Sequence, residues 1–272
     1  MFHRAGWAVL ALMVLSGPVC GLTLDPLPGW VTAGYLDKAI EFAKKKDVPV
    51  VLLYAPQEGG GEVSRARVYM RLEGLGGWAR VLVYESARPP AAFQKVAGQV
   101  EAPGEGLPVM YFATPELRIL GFVQSGAHKK TSYRVIVHVK ETMTWLKKSR
   151  EDIESAENGA KIGKFGTLLS TYQRINNEDK RAGVATTATW NIVIGVDEVD
   201  TFYFPELPGK MGEVEAHAES YLQKARTEFG LKNYEAARKM VYPMAKDKGE
   251  VTALKAAAEL LEQIDAAMKA KP

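Results

Sequence analysis

The sequence predicts an α/β domain followed by a helical, repeat-like region, and three observations carry that expectation. Between Trp30 and Leu146, apolar runs of strand length alternate with segments of helical period. From Glu151 onward the composition turns helical. The single cysteine, Cys20, lies in a leader-like segment, so the residues after Gly21 must fold by packing alone.

The N-terminus carries His3 and Arg4, an apolar run from Ala5 to Leu15, then Ser16-Gly17-Pro18-Val19-Cys20-Gly21. That run is shorter than the roughly 20 apolar residues of a membrane span, and it ends in small and helix-breaking residues. Residues 1–21 are therefore expected to be a signal peptide cleaved after Gly21, leaving an extracytoplasmic chain, periplasmic or secreted. Lipid attachment at Cys20 is the alternative, but Gly17-Pro18-Val19 matches the bacterial lipoprotein pattern poorly. No later segment reaches spanning length, so no integral membrane span is expected once the signal is removed. Lys and Arg number 35 against 32 Asp and Glu, a balance that implies neither nucleic acid nor an anionic membrane as partner.

Within residues 22–150, Gly34 to Lys46 places Leu36, Ala39, Ile40 and Ala43 on one helical face. Three lysines close its last turn, complementing the helix dipole, and Asp47 with Pro49 ends it. Val48 to Tyr54 is unbroken and apolar, as expected of a strand covered on both faces. A loop from Ala55 to Gly61 precedes a polar helix from Glu62 to Leu72, and Trp78 to Tyr84 is a second apolar strand. Arg88-Pro89-Pro90 marks a turn before a short helix through Phe93 and Val96. Leu107 to Ala113 and Ile119 to Gln124 form a hairpin around Thr114-Pro115-Glu116-Leu117-Arg118. Thr131 and Ser132 are the expected cap of a last helix reaching about Lys148. Val135 to Val139 has strand propensity, but Ile136, Val139, Met143 and Leu146 fit a helix face, which favours helix.

This βαβαββα order, with Gly104-Glu105-Gly106-Leu107-Pro108-Val109-Met110-Tyr111-Phe112 leading into the hairpin, resembles the thioredoxin family over a little under half of the chain. The resemblance implies a cis peptide bond before Pro108, and a Leu107 that offers its backbone to an extended peptide. The family's Cys-x-x-Cys motif belongs where this chain has Tyr54-Ala55-Pro56-Gln57-Glu58-Gly59-Gly60-Gly61. Disulfide exchange needs sulfur as the attacking atom, so thiol-disulfide oxidoreductase activity is not expected after cleavage. Nor is the glycine run a phosphate loop, which needs Lys-Ser/Thr where Glu62-Val63-Ser64 follows; it is expected to be a flexible elbow. The candidate peptide-binding residues are thus Leu107, Pro108, Pro56, Gln57, Glu58 and Gly59.

Other chemistry is thinly represented. His138 and Glu141 lie one helical turn apart, but two ligands do not make a metal site. His128 and His217 have no obvious companions, and Asp197-Glu198-Val199-Asp200 lacks the glycine and spaced carboxylates of a calcium loop. No metal, cofactor or catalytic residue is expected.

In residues 151–272, Ala156, Ala160, Gly163-Lys164-Phe165, Leu168, Tyr172 and Ile175 resemble half of a tetratricopeptide repeat. Leu222, Ala225 and Phe229, then Lys232-Asn233-Tyr234-Glu235-Ala236-Ala237, Val241 and Met244, make a closer copy, and Thr252 to Met268 adds a helix. A plain helical hairpin is the alternative; fewer than three repeats form no independent solenoid, so these helices are expected to pack on each other or on the first domain. An irregular insertion near 182–211 contains a strand-like Trp190-Asn191-Ile192-Val193-Ile194 and an aromatic loop from Thr201 to Pro208, expected to join the halves, with an exposed partner-binding patch as the alternative. The resulting expectation is an exported, non-redox thioredoxin-like protein that binds a protein or extended peptide, or serves as a scaffold. The alternative is a cysteine-independent enzyme similar to a glutathione transferase, whose N-terminal domain is also thioredoxin-like.

Overall fold

The computed structural model describes residues 22–100, 106–182, 184–187, 192–195 and 203–270, the side chains of 180–187 and 192–195 excepted. The expected signal, Cys20, the acidic run 197–200, Trp190, Thr201 and Phe202 lie outside them.

A seven-stranded mixed sheet forms the N-terminal part, in the order β2 (Val31–Thr32), β5 (Ala79–Tyr84), β3 (Val50–Ala55), β6 (Val109–Ala113), β7 (Ile119–Val123), β8 (Val184–Thr187) and β9 (Ile192–Gly195). β2 and β3 flank β5 in parallel, β6 runs antiparallel to β3, and β7 antiparallel to β6. The strand side chains alternate between two cores, as a pleat of period two requires. Val50, Leu52, Val81, Val83 and Tyr111 face α1 (Leu36–Lys46) and α3 (Ala91–Ala97). Val51, Leu53, Leu82, Met110 and Phe112 face α2 (Gly61–Met70) and α4 (Lys129–Ala160). α1 buries Leu36, Ala39, Ile40 and Ala43 and ends where Asp47 turns left-handed, at φ 50°.

Three features differ from the sequence expectation. First, the loop after β3 contains β4 (Glu58–Gly59), which pairs antiparallel with β1 (Leu22–Thr23). Residues 57–59 of the expected loop are therefore paired, because the chain entering the domain supplies them with main-chain partners. Second, α4 begins at Lys129, with His128 as its N-cap accepting from the Lys130 N–H, while Thr131 and Ser132 are buried in the first turn. Ser132 hydroxyl donates back to the His128 carbonyl, so the expected capping residue supports the cap without being it. The helix continues for 32 residues, through positions 150 and 151, spanning about 48 Å. Its first half packs Val135, Ile136, Val139, Met143 and Leu146 on the sheet, and its second half buries Ala156 against the helices that follow. Third, the insertion near 182–211 is partly regular: β8 and β9 form a hairpin that extends the sheet beyond β7, and Leu207, Pro208 and the residues after them open a helix.

The C-terminal helices α5 (Phe165–Ala182), α6 (Leu207–Gly230), α7 (Tyr234–Lys246) and α8 (Thr252–Lys269) each pack on the one before, α5 packing on α4. Carboxylates borrowed from neighbouring elements satisfy several open N–H groups of this region. Asp247 accepts from the Gly166 and Thr167 N–H groups and the Thr167 hydroxyl, and Glu215 from the Thr252 and Ala253 N–H groups. Asp179, 1% exposed, accepts from the N–H groups of Tyr203 and Phe204. That bond anchors the aromatic segment as internal joinery: the Tyr203 and Phe204 rings pack edgewise on Trp145 of α4, and the Tyr203 hydroxyl donates to the Ile119 carbonyl. One hydrophobic core runs from Leu24 to Ile264 across both halves.

Candidate functional site

The site expected from the sequence lies at the ends of β3 and β6. Their register pairs Tyr54 with Val109. Residues 56–59 follow the end of β3 and residues 107–108 precede the start of β6, so both stretches leave the sheet at this same end. The Leu107–Pro108 peptide bond is cis. Pro56 and Pro108 are buried, Leu107 and Gly59 are half-buried, and Gln57 and Glu58 are exposed. All six expected residues thus gather at one end of the sheet, and the exposed part of the cluster is Leu107 with the elbow side chains.

Two sets of hydrogen bonds hold this corner. The Leu107 carbonyl accepts from the Ser125 hydroxyl at 2.8 Å, across Gly106. Gly106 has φ 139°, a backbone conformation that side-chain-bearing residues rarely adopt, so glycine suits this turn. On the elbow side, Leu24 N–H donates to the Gln57 carbonyl at 2.7 Å, the Tyr84 hydroxyl to the Leu24 carbonyl at 2.8 Å, and Arg67 Nη2 to the Thr23 carbonyl at 2.7 Å. The Leu24 side chain is fully buried. The segment 22–24 is a strap, clamped at both ends of its peptide groups and pinned by one side chain.

Ser125, Tyr84, Arg67 and the strap were not singled out from the sequence. The alternation Leu22-Thr23-Leu24 was the available signal, a pattern of strand period just beyond the leader.

The electrostatics are mild. Burial, then the nearby Glu85 carboxylate, pushes the Tyr54 phenol above its ordinary value, and burial, then Tyr54, does the same to Tyr111. The Tyr54 ring tilts against Phe93, and Phe93 against Tyr111, closing the apolar floor beneath Leu107. What the corner offers a ligand is an apolar shoulder and the polar side chains of Gln57 and Glu58, while Ser125 holds the Leu107 carbonyl and the strap pairs with the elbow. The histidines do other work: His128 caps α4, and His138 Nε2 lies 3.3 Å from the Thr142 hydroxyl. Among the described residues no cluster of three or more His, Cys, Asp or Glu has metal-ligand proximity, and no helix is long and apolar enough to cross a membrane.

No family model, no curated protein and no solved structure matches this chain.

Proposed function

We propose that this chain is an exported, non-redox thioredoxin-like protein with a tetratricopeptide-like helical region, and that it binds an extended polypeptide at the corner between Leu107 and the elbow 56–59. The observation that supports this reading is the antiparallel pairing of Tyr54 with Val109, from which a half-buried Leu107 and an elbow without sulfur leave the sheet at the same end. The run β3-α2-β5-α3-β6-β7-α4 supports the family resemblance, and the stepwise packing of α5 to α8 supports the repeat-like one. The strap supports the mode of recognition: the elbow edge already accepts one extended segment, Leu22–Thr23, by antiparallel pairing. Export follows from the leader-like residues 1–21, and places the partner outside the cytoplasm.

The test is a photo-crosslinking amino acid placed at Gln57 in the full chain, with a second preparation carrying it at Lys255, exposed on α8. Each is irradiated with a reduced, alkylated and therefore permanently extended polypeptide. Adducts should form several-fold more at 57 than at 255. Equal yields at the two positions would remove the corner from consideration.

A further inference from the structure

At the β2 edge of the sheet, β2 and α1 leave an open cavity of about 430 Å³. Val31, Tyr35 and Phe42 line it and are 36%, 55% and 43% exposed. Single exposed apolar residues are ordinary, but three around one hollow mark a surface that gains by being covered. The helix explains the arrangement. Its buried stripe is Leu36, Ala39, Ile40 and Ala43, while Tyr35, Lys38 and Phe42 recur at helical spacing along a second stripe, turned to the hollow. Trp78 closes the floor.

Two cations, Lys38 and Arg80, also line the hollow, and no acidic residue does. Neither cation takes part in an ion pair among the described residues. Arg80 Nε is buried without a hydrogen-bond partner. The guanidinium is held in place by shape: it lies 5.9 Å from the Trp30 ring and across Gly29, where φ is 82° and a Cβ would collide with Arg80 Nη2. Lys38 Nζ sits 5.5 Å from the Tyr35 ring. Positive charge without a counter-charge, beside an apolar wall, complements an anion with an apolar body.

We infer that the hollow between α1 and β2 binds a small organic carboxylate with an aromatic or aliphatic body, the carboxylate meeting Arg80 and Lys38 and the body meeting Tyr35, Phe42 and Trp78. The volume falls within the range of small-molecule pockets, roughly 300–1,000 Å³. A polypeptide added to the edge strand is the weaker occupant, because β2 has only two residues and offers few main-chain bonds. This site is separate from the Leu107 corner and does not depend on its role.

Isothermal titration of the full chain tests the assignment, with 4-phenylbutyrate and its neutral amide as probes. The acid should bind saturably and about tenfold more tightly than the amide at low salt, with the gap closing as ionic strength rises. Lys38→Gln, on an exposed side chain, should weaken the acid severalfold and leave the amide unchanged. Phe42→Ser should weaken both probes. Arg80→Gln should abolish the preference for the acid; if that variant misfolds, Lys38→Gln carries the test. Equal affinity for acid and amide, absence of saturable binding, or indifference to both Lys38→Gln and Phe42→Ser would overturn the inference. Tighter binding of an extended acidic peptide than of 4-phenylbutyrate would overturn it in favour of strand addition.

Discussion

Leu24→Ala isolates the strap from the rest of the fold. Leu24 is fully buried, and its backbone bridges the Gln57 carbonyl and the Tyr84 hydroxyl. Truncation removes three carbons, worth about 2.4 kcal/mol at roughly 0.8 kcal/mol each, and the unfilled space raises the cost to about 3 kcal/mol. The strap is joined to the elbow by only two residue pairs, so the loss falls on its local opening. At about 1.4 kcal/mol per tenfold change, the Leu24 amide should exchange with solvent about a hundredfold faster. Amides in the middle of β3, which are paired on both sides, should keep their protection. Native-state hydrogen exchange resolved by residue reads both quantities. The elbow should open in parallel, and capture of an extended polypeptide at Gln57 should rise. An acceleration under threefold, or an equal acceleration in β3, would refute the picture of the strap as a separately opening element.

Two further outcomes follow from buried polar groups. Asp179→Ala leaves the Tyr203 and Phe204 N–H groups without the carboxylate, at about 1–3 kcal/mol for each orphaned donor, so urea unfolding should show a loss of about 2–5 kcal/mol. Asp179→Asn, which keeps one acceptor oxygen, should recover part of it. Alkaline stability is set in part by Tyr203 and Tyr172. Burial first and Asp179 second raise the Tyr203 phenol; burial and the hydrogen bond to Glu157 raise that of Tyr172. In the unfolded chain these phenols release protons near pH 10, whereas the folded chain still holds them. The native state therefore binds more protons above that pH, and their stabilisation, complete below about pH 10, declines as pH rises. Tyr172→Phe and Tyr203→Phe should each flatten the fall of Tm above about pH 10 relative to the unsubstituted chain. An unchanged slope in both would disprove the assignment.

The legible parts of the fold are those where one local signal suffices. β3 is a continuous apolar run and β5 one interrupted only by Arg80, because both faces are covered, and α1 declares itself through Leu36, Ala39, Ile40 and Ala43. The place of Leu107, Pro108 and residues 56–59 at one end of the sheet was legible for the same reason: they adjoin the strong strands β3 and β6. What sequence reading missed depends on distant partners. β1, β2 and β4 have two residues each, too few to show a period, and exist because Leu22 meets Gly59 and Val31 meets Val81. The stretch Lys147-Lys148-Ser149-Arg150-Glu151-Asp152 looks like a linker, yet it is the solvated middle of α4, where Ser149 is the buried member. The second stripe of α1 was visible as sequence, but only the fold shows that the described residues leave Tyr35 and Phe42 exposed.

That continuous helix decides whether the two halves are separable. A cut after Arg150 severs α4 between the part that packs on the sheet and the part that packs on α5. It strips Trp145 of the Tyr203 and Phe204 rings and of its Glu178 acceptor, 2.8 Å away. It also removes β8, leaving β7 as an edge strand with the apolar sequence Ile-Leu-Gly-Phe-Val, an open template for pairing with other chains. The ion pairs made by Arg150 with Asp47 and Glu116 are partly exposed and too weak to offset this. A fragment of residues 22–150 should therefore self-associate and lose cooperative unfolding, whereas residues 22–272 should remain monodisperse. Size-exclusion chromatography and a urea titration separate the outcomes. A monodisperse fragment that unfolds at the urea midpoint of the full chain would mean that the shared core is only an apposition of two independent units.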